Sequence, residues 1–168
     1  MTMELKDILL GGGLIASGLT SGLLYGWSVS VIPGLRRTTD LAYVGTMQHI
    51  NRAIINPAFV IPYMGVPLLL AAAAFTQFRA GDNRRGWYLA GATMSYLVAV
   101  LGVTIGRNVP LNDALDAFRL DQSDDGAIHT RRNTYEQPWN RWHYVRTLGS
   151  IGSFVLASAA ALVAADPD

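Results

Sequence analysis

Residues 53–78 read AIINPAFVIPYMGVPLLLAAAAFTQF, which is 26 consecutive positions without Asp, Glu, Lys or Arg. A helix needs roughly 20 such residues to cross a ~30 Å hydrocarbon core. Three further charge-free windows occur at 8–35, 86–106 and 147–165, and they hold 28, 21 and 19 residues. The four windows predict four transmembrane helices, which we assign to a single domain covering all 168 residues.

The composition supports a membrane protein and excludes several other classes. Charged residues make up 15% of the chain and apolar residues 51%, whereas ordinary soluble domains are about 25% charged. A net charge of +1 without a basic stripe argues against nucleic acid as a partner. Because the chain has no Cys, disulfides, thiolate nucleophiles and iron–sulfur clusters are excluded. We therefore expect a multi-pass protein of the cell membrane.

The windows and their connections predict the architecture. We place the spans at about 8–32, 50–78, 86–106 and 141–165. The expected fold is all-α, a four-transmembrane-helix bundle with a long loop between helices 3 and 4. This loop is predicted to run from 107 to 146, and long loops in compact proteins are usually functional or disordered.

The first window is expected to be an uncleaved span and not a secretory signal. Its leading residues carry Glu4 and Asp7 beside Lys6, and its apolar part exceeds the usual length of roughly 7–15 residues. A row of small residues, Gly18, Gly22 and Gly26, recurs every four positions along it. Such a row permits close helix packing in lipid. Packing within the bundle is the preferred interpretation, and a homo-oligomer is the alternative.

Three prolines at 57, 62 and 67 interrupt the second predicted span. Each lacks an N–H and clashes with the carbonyl four residues earlier. Those carbonyls belong to Ala53, Ala58 and Tyr63. In lipid they need partners from protein or water, so we expect a kinked helix that faces the protein interior.

Polar and aromatic residues gather at one end of the predicted bundle. The end of span 1, the start of span 2, the end of span 3 and the start of span 4 must share one membrane face, which we call the site face. The unusual residues of this face are Gln48, His49, Asn51, Arg52, Asn56, Arg107, Asn108, Asn112, Trp139, Asn140, Trp142, His143, Tyr144 and Arg146. Polar groups at membrane depth usually face a protein interior or a wet cavity. A pocket at the site face is therefore predicted.

Helical spacing predicts which of these side chains point the same way. One row recurs every four residues along the predicted start of span 2 and comprises Gln48, Arg52 and Asn56. A second row follows i, i+4, i+7 spacing at the start of span 4 and comprises Trp139, His143 and Arg146. Residues at these spacings share a helix face, so both rows are expected to line the pocket.

The residue types suggest roles in this pocket. Imidazole titrates near neutral pH, so His143 or His49 is the predicted base, and Arg146 would stabilise an enolate, phenolate or carboxylate. The predicted substrate-binding residues are Gln48, Asn51, Arg52, Asn108, Asn112, Trp139, Asn140 and Trp142. Their amides would fix hydroxyl and carbonyl groups, and their indoles would stack on a flat ring.

A metal is not predicted for this site. The chain has three histidines and no thiolates, and six of its twelve carboxylates lie in the 107–146 segment outside the spans. Copper or iron held by His49 and His143 is the alternative that the residues leave open. His129 lies beside Arg131 and Arg132 and is expected to be solvated.

Four motifs carry a resemblance to a known family. They are SVIPGL at 30–35, MQHIN at 47–51, NVPLN at 108–112 and WNRWHYVRT at 139–147. In this order they resemble the anthrone-oxygenase-like integral membrane family, long filed as a domain of unknown function. The resemblance implies four spans and, from some members, conversion of polyketide anthrones to anthraquinones with O₂ and no established cofactor. Matched to the motifs, the site residues would be Asn108, Asn112, Trp139, His143 and Arg146.

Two functions of different classes follow. The first is a membrane oxygenase acting with O₂ on a flat lipophilic phenolic or anthrone-like substrate. The alternative is a non-catalytic small membrane subunit, or a lipid- or quinone-binding protein, associated with a larger membrane complex. Membrane lipids and a lipophilic small molecule are the expected partners. The site face carries nine arginines, against four basic residues opposite, which predicts that it faces the cytoplasm.

Overall fold

The computed structural model describes residues 4–163 as a set of helices with short connections. The helices are α1 (Leu5–Leu35), α2 (Asp40–Ala53), α3 (Pro57–Arg79), α4 (Asn83–Asp116) and α5 (Asp125–Leu162). A single 3₁₀ turn, Leu120–Gln122, precedes α5. No β-strand occurs within the described range, so the all-α prediction is confirmed.

Four of the helices are long and apolar enough to cross a membrane, namely α1, α3, α4 and α5. The predicted number of long apolar helices is thus confirmed, and it indicates a multi-pass membrane protein. Helix α1 packs against α3 and α5, and α4 packs against the same two helices. The ring so formed encloses a core that includes Leu70, Tyr96 and Val100. The end of the predicted fourth span, 164–165, lies outside the described residues.

The prediction of a long loop between the third and fourth spans is wrong. Helix α4 continues to Asp116 and α5 begins at Asp125, so only a short connection separates them. The carboxylate of Asp124 caps α5 by accepting a hydrogen bond from the Ala127 N–H at 2.7 Å. The parts of α4 and α5 that replace the predicted loop carry apolar residues. These side chains are buried in a core outside the ring, and their burial stabilises the helical conformation.

The second apolar helix begins later than the predicted span. Proline disfavours helical geometry at the preceding residue, and Asn56 before Pro57 is extended, with φ −138° and ψ 160°. The Asn56 side chain caps α3 by accepting from the Phe59 N–H at 3.2 Å. Gln48 and Arg52 therefore lie on the separate helix α2, and they do not share a face of one span with Asn56.

Two of the carbonyls freed by proline have the protein partners that we expected. The Tyr96 hydroxyl on α4 donates to the Tyr63 carbonyl at 2.8 Å, and the Asn56 amide donates to the Ala53 carbonyl at 2.8 Å. The first of these bonds joins α3 to α4 inside the ring, where an unpaired carbonyl would be costly.

The predicted row of small residues contacts another helix at one position. A Cβ placed on Gly18 would meet the Phe154 ring of α5 at 3.4 Å, whereas one placed on Gly22 or Gly26 would meet nothing within 4 Å. Among the glycines, Gly149 of α5 is the one whose added Cβ would come nearest to another helix.

Gly149→Ala is expected to destabilise the protein. A Cβ at this position would collide with Ala99 Cβ of α4, and overpacking of this kind costs about 1–3 kcal/mol. Gly22→Ala is the matched control, since its new methyl group would lie in open space. Unfolding in detergent, titrated with a denaturing detergent, measures both. Equal stabilities of the two variants would contradict this packing.

A second hydrophobic core lies beyond the ring, where α2 packs on the end of α4 and the start of α5. Its fully buried members include Val44, Met47 and Leu115. Arg132 holds this part together at its edge, because its guanidinium bonds to Asp40 at 2.9 Å and to Glu136 at 2.7 Å.

Asp40, at the start of α2, is the shared acceptor of this edge. The His129 ring Nδ1 lies 2.7 Å from the second carboxylate oxygen of Asp40. This hydrogen bond, together with that from Arg132, lowers the pKa of the Asp40 carboxyl. The carboxylate therefore stays ionised, and keeps both hydrogen bonds, to a lower pH than an isolated Asp.

Arg132→Gln is expected to lower the unfolding midpoint, because it removes the half-buried cation that bonds to two carboxylates at once. The groups left behind are Asp40 and Glu136. Arg131→Gln is the control. The Arg131 guanidinium lies 5.1 Å from the Phe118 ring and forms no ion pair with a described carboxylate, so its loss should cost less than about 1 kcal/mol. The same detergent unfolding measures both, and an unchanged Arg132→Gln midpoint would contradict the assignment.

Candidate functional site

A cavity of about 160 Å³ lies at the end of the ring, next to the second core. Every helix contributes to its walls. The polar lining residues are Asn51, Tyr63, Thr104, Asn112, His143 and Arg146. The apolar and aromatic ones include Leu23, Leu24, Trp27, Ile50, Ile54, Phe59, Val109 and Trp139. A mostly apolar cavity with a few convergent polar groups is typical of a small-molecule site.

Arg146 is the most unusual group in this cavity. It is 8% exposed, and its guanidinium donates to Thr104 Oγ1 at 3.3 Å and to His143 Nδ1 at 3.1 Å. Its Nε has no hydrogen-bond partner, and no carboxylate within residues 4–163 forms an ion pair with it. A buried charge without a counter-charge is costly. The cavity therefore favours an anionic group beside Arg146.

The neighbours of His143 determine its tautomer. Because a guanidinium only donates hydrogen bonds, Nδ1 must accept from Arg146. Because a carbonyl only accepts, Nε2 must donate to the Leu24 carbonyl, 3.2 Å away. Ser28 Oγ lies 3.1 Å from the same Nε2. The imidazole of His143 is thus neutral, with its proton on Nε2. The lone pair of Nδ1 points toward Arg146.

Trp139 forms the flat wall of the cavity. Its ring stacks on His143 with centroids 5.0 Å apart and planes 7° apart, and the Arg146 guanidinium carbon lies 5.4 Å from the Trp139 centroid. Asn112 Oδ1 accepts from the Trp139 indole at 2.8 Å and from the Tyr135 hydroxyl at 2.9 Å. Asn51 donates to the same hydroxyl at 3.1 Å. These bonds fix the aromatic wall in place.

The structure brings five of the predicted site residues to this cavity, namely Asn51, Asn112, Trp139, His143 and Arg146. The i, i+4, i+7 row of α5 therefore lies together along one wall. Two more predicted residues bond to backbone carbonyls near the cavity but do not line it. Asn108 donates to the Trp139 carbonyl at 3.3 Å, and Gln48 donates to the carbonyls of Leu115 and Phe118 at 2.8 and 2.9 Å. Their roles toward a ligand stay predictions.

The remaining predicted residues lie away from the cavity lining. His49 is exposed on α2, where its Nδ1 donates to the Gly45 carbonyl at 2.7 Å. Arg52 is exposed and paired with Asp116 at 2.6 Å. Asn140 is buried in the second core, next to Trp27 and Met47. Trp142 is half-buried and lies 5.1 Å from the Arg107 guanidinium.

The copper or iron alternative would need His49 and His143 in one site. In the structure, His49 is exposed on α2, whereas His143 on α5 lines the cavity. Within the described part of the chain, no three His, Asp or Glu side chains gather as a set of metal ligands.

Sequence reasoning missed three lining residues that have hydrogen-bonding side chains, besides the aliphatic residues and Phe59. Trp27, Tyr63 and Thr104 all face the cavity, and Tyr63 Oη lies 2.6 Å from Thr104 Oγ1. Trp27 and Thr104 begin the π-helical segments Trp27–Val31 and Thr104–Asn108. Such segments occur often at functional sites. The Pro-rich surroundings of Tyr63 were the available signal, whereas π-helix has no comparable signal in sequence.

Comparison with known proteins defines the family. Residues 56–156 match the family described as anthrone oxygenase. The match covers more than half of the chain, and the chain therefore belongs to this family, as its motifs suggested. The matched segment spans α3, α4 and most of α5. These helices carry the cavity residues Tyr63, Thr104, Asn112, His143 and Arg146. No curated protein and no solved structure matches the chain.

Proposed function

We propose that this protein is a membrane oxygenase that oxidises a flat, lipophilic, phenolic or anthrone-like substrate with O₂ in the cavity. We place it in the cell membrane, with the cavity end toward the cytoplasm. Family membership supports the reaction class, and the aromatic and aliphatic walls support a flat apolar substrate. The observation that carries the proposal is Arg146, a buried cation that has no anionic partner within residues 4–163.

In the proposed site, Arg146 binds the substrate oxygen as that oxygen becomes negative. Removing a proton from the methylene carbon of an anthrone leaves an enolate, whose charge lies largely on oxygen. A fixed donor in a water-poor cavity stabilises such an oxyanion far better than bulk water does. The guanidinium of Arg146, whose Nε has no partner and whose Nη2 now bonds to His143, supplies the donors once it turns toward the substrate. Trp27 and Trp139 contribute the aromatic surface of the cavity that would hold the flat substrate.

His143 is the proposed base, because it is the one imidazole on the cavity lining among the described residues. Its Nδ1 lone pair accepts the carbon-bound proton once Arg146 turns its N–H to the substrate oxygen. An imidazolium beside a guanidinium is unfavourable alone. The enolate formed in the same step offsets that repulsion, so proton transfer and oxyanion binding assist each other.

The rest of the reaction balances without a further reductant. The carbanion-like carbon forms a C–O bond with O₂, and the peroxide takes a proton from His143. Loss of the second hydrogen from that carbon, with cleavage of the O–O bond, gives a carbonyl group. Hydroxide leaves and is protonated to water. Overall, CH₂ is oxidised to C=O, one oxygen atom stays in the product, and the other becomes water.

Oxygen consumption tests this proposal. The protein in lipid nanodiscs is mixed with an anthrone, and O₂ uptake and anthraquinone absorbance are followed against protein-free nanodiscs. We expect a rate above spontaneous oxidation, with one O₂ consumed for each anthraquinone formed. Binding of the anthrone without added O₂ uptake would contradict the oxygenase and favour the lipid- or quinone-binding alternative.

A further inference from the structure

We propose that the ligand enters the cavity sideways from the lipid bilayer, through a groove between α1 and α3 that has Leu23 and Phe59 at its inner end. The proposal rests on the cavity being the ligand site of the proposed function. Its test does not require turnover, so the two can fail separately.

The groove is a second depression, of about 350 Å³, next to the cavity. It is lined by Leu19, Thr20 and Leu23 of α1 and by Asn56, Phe59 and Pro62 at the start of α3. Leu23 and Phe59 also line the cavity. These two side chains therefore border both spaces, and their rotation would connect them.

The groove lies at membrane depth. Its α1 and α3 residues fall inside the charge-free windows 8–35 and 53–78. Leu19 is 61% exposed, and on a membrane-spanning helix an exposed leucine contacts lipid. Thr20 and Asn56 are the polar exceptions. Thr20 is buried, and the Asn56 amide already bonds to the Ala53 carbonyl and the Phe59 N–H. The groove thus presents an apolar surface to the bilayer.

The opposite side of the cavity is closed toward water. The buried hydroxyl of Tyr135 ties Asn51 of α2 to Asn112 of α4 across it. Beyond these residues lies the second core, where Met47 and Leu115 are fully buried. A ligand arriving from water would have to open this packed region.

The rim of the cavity also suits lipid better than water. Its exposed large lining residues are Leu23, Ile55 and Val109, and all three are aliphatic. No charged residue stands among them. A lipophilic molecule already concentrated in the bilayer would reach this rim without crossing the aqueous phase.

A cysteine reporter tests the route, since the natural chain has no Cys. Leu24→Cys places one thiol on the cavity wall at a buried position. The variant, in nanodiscs, is treated with a neutral membrane-partitioning maleimide or with a permanently charged methanethiosulfonate. We expect the neutral reagent to label the thiol and the charged one to leave it largely unlabelled. Equally fast labelling by the charged reagent would overturn the proposal.

A plug in the groove tests the location. Leu19→Trp, added to the reporter, fills the groove without touching the cavity, and should slow neutral labelling about tenfold. Ile15→Trp is the control, one turn away on the same face of α1 and 68% exposed. It should leave the rate unchanged. Equal rates in both plugged variants, or slowing by Val109→Trp alone, would place the entrance elsewhere.

A second reporter keeps the test decisive. Where size exclusion shows that Leu24→Cys does not fold, Ile54→Cys on the opposite wall replaces it. Labelling through the groove without anthrone oxidation would support the lipid route and contradict only the oxygenase. Anthrone oxidation together with fast labelling by the charged reagent would support the oxygenase and contradict only the lipid route.

Discussion

Arg146→Gln is expected to lower the rate of anthrone oxidation about 100-fold, the usual effect of removing one oxyanion donor. Glutamine keeps a hydrogen-bonding side chain but has no charge to match the enolate. The fold should persist, because Arg146 forms no ion pair with a described carboxylate and Tyr63 keeps its bond to Thr104. O₂ uptake in nanodiscs measures the loss, and the unfolding midpoint in detergent checks the fold.

Arg141→Gln is the matched control for this change. Arg141 lies on the same helix but is exposed, and its guanidinium lies 5.7 Å from the Trp142 ring, outside the cavity. Its replacement should leave the rate unaltered. Full activity of Arg146→Gln, or equal losses in the two variants, would contradict the role given to the buried cation.

His143→Ala is expected to lower the rate about 100-fold or more, within the range for loss of a general base. Free imidazole added to this variant should restore part of the rate, because the truncated side chain leaves room beside Arg146. A purely structural role would show no such rescue. The measurement is O₂ uptake across a range of imidazole concentrations, with wild-type protein as the reference for any effect of imidazole itself.

His49→Ala separates the two imidazoles that the sequence proposed as the base. His49 is exposed and donates to the Gly45 carbonyl, so its loss should leave the rate near that of the wild type. A large loss in His49→Ala combined with an active His143→Ala would reverse the assignment.

The sequence predicted the parts of the fold that depend on hydrophobic length and helical spacing. Four charge-free windows sufficed for four long helices, because crossing a bilayer requires a minimum apolar length. The topology then required the span ends to meet, and the structure places Asn112 within hydrogen-bond distance of Trp139. The i, i+4, i+7 spacing correctly placed Trp139, His143 and Arg146 together.

Other features depended on tertiary packing and could not be predicted from periodicity. The segment 107–146 carries many charges, which resembles a loop, yet Leu115 and Tyr135 are buried in a core outside the ring. The break before Pro57 was underestimated, so Gln48 and Arg52 were assigned to the wrong helix. The π-helical turns that begin at Trp27 and Thr104 depend on long-range packing, and so those lining residues escaped notice.

The central claim is that the cavity holds a lipophilic molecule whose oxygen carries negative charge against Arg146. A spectroscopic titration of bound 1,8-dihydroxyanthraquinone tests it, since the phenol changes colour when it ionises. In wild-type nanodiscs the midpoint of that change should lie lower than in Arg146→Gln by about one pH unit, which corresponds to roughly 1.4 kcal/mol of preference for the anion. The same midpoint in both proteins, with the probe bound to each, would contradict the account.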